Sequence, residues 1–163
     1  MRLMLLFTML LSACSFNMPV GNPNVPEPLK KVEIARYLGL WYEIGRYENS
    51  FEKGCEGVTA EYSMNDDGSV KVINTCRGAT VKSVTGTAKV VGDAKLKVSF
   101  FGPFYGDYHV LDRADDYSWA IVGEPSGKYL WLLARNSTAS FEMLSGKAKA
   151  LGYNTSLLKQ VKH

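Results

Sequence analysis

From residue 39 onward, apolar and polar positions alternate in short runs separated by turn residues, the period-two pattern of half-buried strands. The runs are LWYEIGRY, GVTAEYSM, SVKVINTC, SVTGTAKVVG, AKLKVSFFG, YGDYHVLD, YSWAIVGE and YLWLLAR. In AKLKVSFFG, Lys95, Lys97 and Ser99 alternate with Leu96, Val98 and Phe100, so one face is wet and the other apolar. Eight such runs with short connections predict an all-β fold, an eight-stranded up-and-down antiparallel β-barrel. One segment breaks the period. Phe141, Leu144, Ala148 and Leu151 recur at helical spacing, with Ser140 as N-cap and Gly152 as stop. The expectation is one C-terminal α-helix, then a short final strand in SLLKQVKH.

The turn Asp66-Asp67-Gly68 sets a register. With Gly68 left-handed in a three-residue hairpin loop, Asn65 faces Ser69, Tyr62 faces Val72 and Ala60 faces Asn74. One face then carries Val58, Ala60, Tyr62, Val70 and Val72, and the other Thr59, Glu61 and Lys71. Cys55 falls about three residues past the partner of Cys76, so a bond between them needs a loop excursion, for which Gly54 and Gly57 are suited.

The first residues follow a different logic. Arg2 precedes an apolar run from Leu3 to Leu11, shorter than the roughly 20 residues of a spanning helix and suited to a secretory leader. The run ends in Leu11-Ser12-Ala13-Cys14, which resembles the bacterial lipobox, in which the cysteine is diacylated and begins the mature chain. That resemblance implies a leader over residues 1–13, a lipid anchor on Cys14, and, with Ser15 next, the outer membrane, the domain facing the periplasm. Residues 14–30, with four prolines and three asparagines, are expected to form an extended tether, and the domain to cover 31–163. A formal charge of +3 with no dense basic run gives no reason to expect nucleic acid. In an oxidising compartment Cys55 and Cys76 are expected to pair. A zinc site wants four ligands, and the chain has only two histidines.

Gly39-Leu40-Trp41, the loop run ADDYSWA at 114–120 and Arg135 at the end of YLWLLAR stand in the order and spacing of the three lipocalin signatures. Strings such as FFGPFYG and WYEIGRYENSFEKGC resemble the bacterial branch of that family. The second signature departs from the pattern: Ala114-Asp115-Asp116 stands where Thr-Asp-Tyr is usual, and Tyr117 comes one place late. The resemblance implies that Trp41 plugs the closed end of the barrel with Arg135 lying across its indole, a structural pair rather than a ligand contact. It also implies an open end able to admit a small apolar ligand.

Continuing the parity places Gly86, Ala88, Leu96, Val98 and Phe100 inward, several of them small enough to leave volume. Phe101, Phe104, Tyr105, Tyr129 and Trp131 gather at the mouth. Apolar walls with a few hydroxyls suit a lipid tail with a polar head. The expected ligand contacts are Tyr62, Val72, Asn74, Val98, Phe100, Phe104, Tyr108 and Trp131. Tyr108 is placed inward ahead of His109 because it shares a face with Val110, and Arg46 and Lys53 are candidates to attract a phosphate or carboxylate. The expected function is binding or transport of a fatty acid or lysophospholipid by a lipid-anchored monomer or homodimer. The alternative is an envelope interaction lipoprotein whose aromatics fill the barrel. Catalysis is not expected, nor any cofactor or metal: Cys55 has a partner, and no nucleophile elbow or phosphate loop occurs.

Overall fold

The computed structural model describes residues 17–163. Strands β1 (Gly39–Tyr47), β2 (Gly57–Met64), β3 (Val70–Arg77), β4 (Val81–Gly92), β5 (Lys95–Phe101), β6 (Phe104–Arg113), β7 (Trp119–Gly123) and β8 (Leu130–Ala134) pair antiparallel in chain order. β1 pairs with β8 on one side and β2 on the other, which closes the barrel. A helical turn, α1 (Ile34–Tyr37), precedes β1. Helix α2 (Phe141–Ala150) follows β8, and β9 (Leu158–Gln160) adds to the far half of β1. The predicted architecture is the observed one.

Local chemistry explains the two features that set positions. At the β2–β3 turn, Gly68 has φ +82°, and the Asp67 carboxylate accepts from both the N–H and the hydroxyl of Ser69. The register that results has Ala60 opposite Asn74 and Tyr62 opposite Val72, as expected. In α2, the Ser140 hydroxyl accepts from the Met143 N–H, and Gly152, at φ +93°, follows the last turn.

The wall separates two apolar clusters. Inside lie Trp41, Tyr62, Val70, Val72, Leu96, Val110 and Val122, with Tyr37 of α1 beneath them. Outside, Leu144 and Ala148 of α2 pack with Ile44, Leu111, Ile121 and Leu132. Up-and-down order puts the turns after β2, β4 and β6 at one end, with Trp41 and Arg135, and those after β1, β3, β5 and β7 at the other.

The tether expected over residues 14–30 is corrected by the docking of its second half. The Gly21 and Asn22 N–H groups donate to Gly127 O, the Asn22 amide donates to Leu151 O, and Val25 packs into the outer cluster. The Leu29 N–H then donates to Leu111 O, and the Val32 N–H to Asp93 O. Asparagines and prolines that read as solvated chain are here a strap along the outer wall. Its hydrogen bonds go to backbone groups that only the folded barrel brings within reach. The leader expected over residues 1–13 and the anchor expected at Cys14 lie outside the described residues.

Cys55 and Cys76 form a disulfide with Cα atoms 5.2 Å apart. The ladder partner of Cys76 is Val58, so Cys55 reaches it from the β1–β2 loop, where the Glu56 N–H donates to Arg77 O. Gly54, at φ +81°, and Gly78 make the close approach: a side chain at Gly78 would strike the Gly54 carbonyl. The bond ties together residues 21 apart. Cys76→Ser is expected to lower stability by about 3 kcal/mol, read as a fall in the urea midpoint.

Candidate functional site: a cup with a sealed floor

The floor is built from Trp41 and Arg135. Gly39 takes φ +95°, so the chain turns from α1 into β1 and leaves Trp41 fully buried. Its indole N–H donates to Tyr37 O at 2.8 Å, and the Arg135 guanidinium lies 3.9 Å from the ring centroid. Arg135 also donates to the carbonyls of Leu40 (2.8 Å), Leu38 (2.8 Å) and Arg36 (2.9 Å). These include carbonyls that α1 leaves free at its end, so one cation serves both the ring and the turn. The displaced Tyr117 has a role here. At φ 60°, its hydroxyl accepts from the Glu33 N–H at 2.9 Å, and its ring lies 4.3 Å from the Arg36 guanidinium and 4.2 Å from that of Arg113.

Above the floor a chain of phenols crosses the lumen. The Tyr108 hydroxyl meets that of Tyr37 at 2.7 Å and that of Tyr62 at 2.9 Å. Burial pushes all three up, Tyr62 to about 12, so the trio is neutral at physiological pH. Tyr108 faces inward as expected. His109 faces outward beside Asp107, and burial holds its pKa below the usual imidazole value.

Higher in the cup, packing thins. Ala60, Asn74, Val98, Phe100 and Trp131 belong to the lumen yet are only half-buried. Val72 lies lower, fully buried, and Phe100 leans over Gly86, where no side chain fits. The Asn74 Oδ1 is buried without a hydrogen-bond partner. Phe104, expected to line the cavity, projects past the rim instead and is 77% exposed. Strand parity aims it inward, but it pairs with Phe101 at the tip of the β5–β6 hairpin, where the barrel has ended.

The sequence reading missed an ionic cluster inside the mouth. Glu43 stands opposite Leu133 and Arg46 opposite Trp131, with a β-bulge between them. Ile44 and Gly45 therefore both face outward, Gly45 with the Phe141 ring where a Cβ would be, and Glu43 and Arg46 share the inner face. Arg46 is completely buried. It donates to Glu43 Oε1 (2.9 Å), Glu48 Oε1 (3.3 Å), Glu52 O (3.2 Å) and Cys55 O (3.1 Å). Glu52 lies 3.9 Å from the Arg46 Nε and accepts from the Trp131 indole at 3.2 Å and from the Asn49 amide. Burial, with Glu52 beside it, holds the Glu43 carboxyl well above the usual carboxylate range. Arg46 is thus spent on the protein's own carboxylates and carbonyls and is corrected from headgroup attractor to internal clamp. Lys53 remains exposed on its loop. The signal was present in Glu43-Ile44-Gly45-Arg46: opposite charges three apart in a strand meet only across a bulge, and glycine permits one. Phe51, Tyr129 and Trp131 complete the mouth, with ring centroids 5.8 Å apart for Phe51–Tyr129 and 5.7 Å for Tyr129–Trp131.

Among the described residues no group of side chains is arranged to hold a metal ion, and no helix is long and apolar enough to cross a membrane. Residues 32–163 match the model of the lipocalin-like domain. The outer membrane lipoprotein Blc of Vibrio cholerae serotype O1 is 40% identical over 95% of this chain and 94% of its own. The protein of the same name from Escherichia coli K12 is 44% identical over 82% of this chain and 77% of its own. The outer-membrane address expected from residues 11–14 agrees with both. Among solved structures, insecticyanin from the tobacco hornworm superposes with a TM-score of 0.70 over 89% of this chain and 87% of its own, at 18% identity, a likeness of fold. A family model spanning the whole barrel and relatives of this identity across most of their length place the chain in the lipocalin family.

Proposed function

We propose that this lipocalin binds a single-chain amphiphile, a fatty acid or lysophospholipid, tail-down in the barrel while anchored through Cys14 to the outer membrane. In this reading residues 1–13 are a leader, and Cys14 stands a few residues ahead of the docked strap. The observation that supports it is the gradient of burial: Trp41, Val70 and Leu96 are sealed at the base, whereas Ala60, Val98, Phe100 and Trp131 are thinly covered above. A filled barrel would bury both tiers alike.

Each methylene moved from water into the lumen contributes about 0.8 kcal/mol, so a sixteen-carbon tail offers roughly 10 kcal/mol of gross burial. Ordering and desolvation costs bring that to affinity on the order of micromolar. The polar head would stay at the level of Asn74, whose unpartnered amide oxygen can accept from the glycerol hydroxyl of a lysophospholipid. Cys55, the one thiol considered as a nucleophile, is held in its disulfide. Titrating lysophospholipids of increasing tail length is expected to change Trp131 emission saturably, each added methylene tightening binding by up to about fourfold. Ala60→Phe, which narrows the lumen, is expected to weaken binding about tenfold. Absence of a saturable change for any tail would reject the carrier role in favour of an interaction lipoprotein.

A further inference from the structure

The strap fixes which end of the barrel the anchor leaves from. Gly21 and Asn22 are bonded to Gly127 in the β7–β8 turn, at the open end, and from there the chain descends to Asp93 and Asp115 at the closed end. Met18 and Pro19 share a crevice with Tyr47, Glu48 and Lys128, also at the open end. The lipidated end thus departs from the mouth. Cys14 is four residues beyond Met18, so even fully extended chain separates them by about 14 Å. That is less than half the thickness of a bilayer's hydrocarbon core.

The rim at that end is dressed for contact. Among the described residues, every strongly exposed aromatic ring stands there: Phe51 on the β1–β2 loop, and Phe101, Phe104 and Tyr105 at the β5–β6 hairpin. Val81, at the β3–β4 turn, is 67% exposed. Three of the four mouth turns therefore present a large apolar side chain to solvent. Aromatic rings are enriched where a membrane meets water, because their apolar bodies leave water while still close to polar headgroups.

We infer that the barrel stands mouth-down on the membrane its own anchor occupies, with Phe51, Phe101 and Phe104 resting in the headgroup–acyl boundary, so that ligand passes between bilayer and lumen without crossing open water. The inference rests on the reading of Cys14 as the lipid anchor and adds the orientation. A short tether from the rim permits only shallow tilts of the mouth from the surface. A tether leaving the closed end would have turned the cup away from it.

The test places single tryptophans at opposite ends of the full, lipidated chain reconstituted in phosphatidylethanolamine–phosphatidylglycerol vesicles with brominated acyl chains. Phe101→Trp and Val81→Trp report the rim. Asp66→Trp, in the β2–β3 turn, reports the closed end, and all three sites are exposed, so the fold tolerates the ring. The emission added by either rim tryptophan over the parent protein is expected to fall at least twofold against unbrominated lipid, and that of Asp66→Trp to stay unchanged. Quenching at Asp66→Trp and not at the rim overturns the orientation alone. Rim tryptophans that are shielded but unquenched mean that a second copy covers the mouth, and overturn it as well. A chain that fails to sediment with vesicles has no anchor, and both readings fall. A chain that takes up no lysophospholipid yet shows rim quenching keeps the orientation and loses only the cargo.

Discussion

Trp41→Ala is expected to destabilise the protein by about 3–5 kcal/mol, the range for emptying a fully buried aromatic site, and to lower Tm by roughly 10 °C. Trp41 has no exposed surface and packs on Tyr37 with ring centroids 4.9 Å apart. Its loss leaves a void at the base of the barrel and strips Arg135 of the ring it covers. Trp41→Phe keeps an aromatic face under the guanidinium but loses the bond to Tyr37 O, and is expected to cost about half as much. Urea unfolding followed by far-ultraviolet circular dichroism reads both variants without relying on the removed fluorophore. If Trp41→Ala unfolds within about 1 kcal/mol of the parent, the floor is not what closes the barrel.

Arg46→Met is the second large effect, and its signature is in the pH dependence. Removing one member of a buried ion pair typically costs about 3–5 kcal/mol, because the partner is left charged and dry. Here the partner is Glu43, 2.9 Å away, with Glu52 close by. In the parent, burial already raises the Glu43 carboxyl above its ordinary value of 4.5. A raised carboxyl holds a proton that the unfolded chain has released. Its contribution to stability is therefore fully present below about 4.5 and is lost as pH rises through the folded value. The Arg46 charge works against that rise, so without it Glu43 holds its proton more tightly still. The penalty of Arg46→Met should accordingly be smaller at pH 5 than at pH 8. Glu43→Gln in the same chain should recover much of the difference. Equal penalties at the two pH values would show that Glu43 is not the group left stranded.

Both predictions concern residues that differ in how far sequence alone revealed them. The Trp41–Arg135 pair was legible because a glycine, an indole and a guanidinium stand at the spacing that a known family uses, and a strand end is the same place in every closed meander. The β2–β3 register was legible for a local reason: a left-handed glycine after two aspartates leaves one hairpin geometry. Tyr108 followed from parity alone. Arg46 did not, because counting alternate positions assumes an unbroken ladder, and the bulge at Ile44–Gly45 turns over the face of every residue after it. Phe104 failed differently, since parity gives a direction but not the height at which the wall ends. The strap from Gly21 to Leu29 was hidden because Asn22 finds its partners in Gly127 and Leu151, more than a hundred residues along the chain. Composition reports what a segment prefers when alone, not what the finished surface offers it.

Helix α2 lies against the outside of the wall, where Leu144 and Ala148 meet Ile121 and Leu132. Cohesion is thereby divided between two faces of one sheet, and a barrel held together from without is not obliged to pack its bowl. Side chains such as Val98 and Phe100 are then free to change in size with little harm to folding. The lining of the bowl can drift among descendants of this chain while the vessel stays the same.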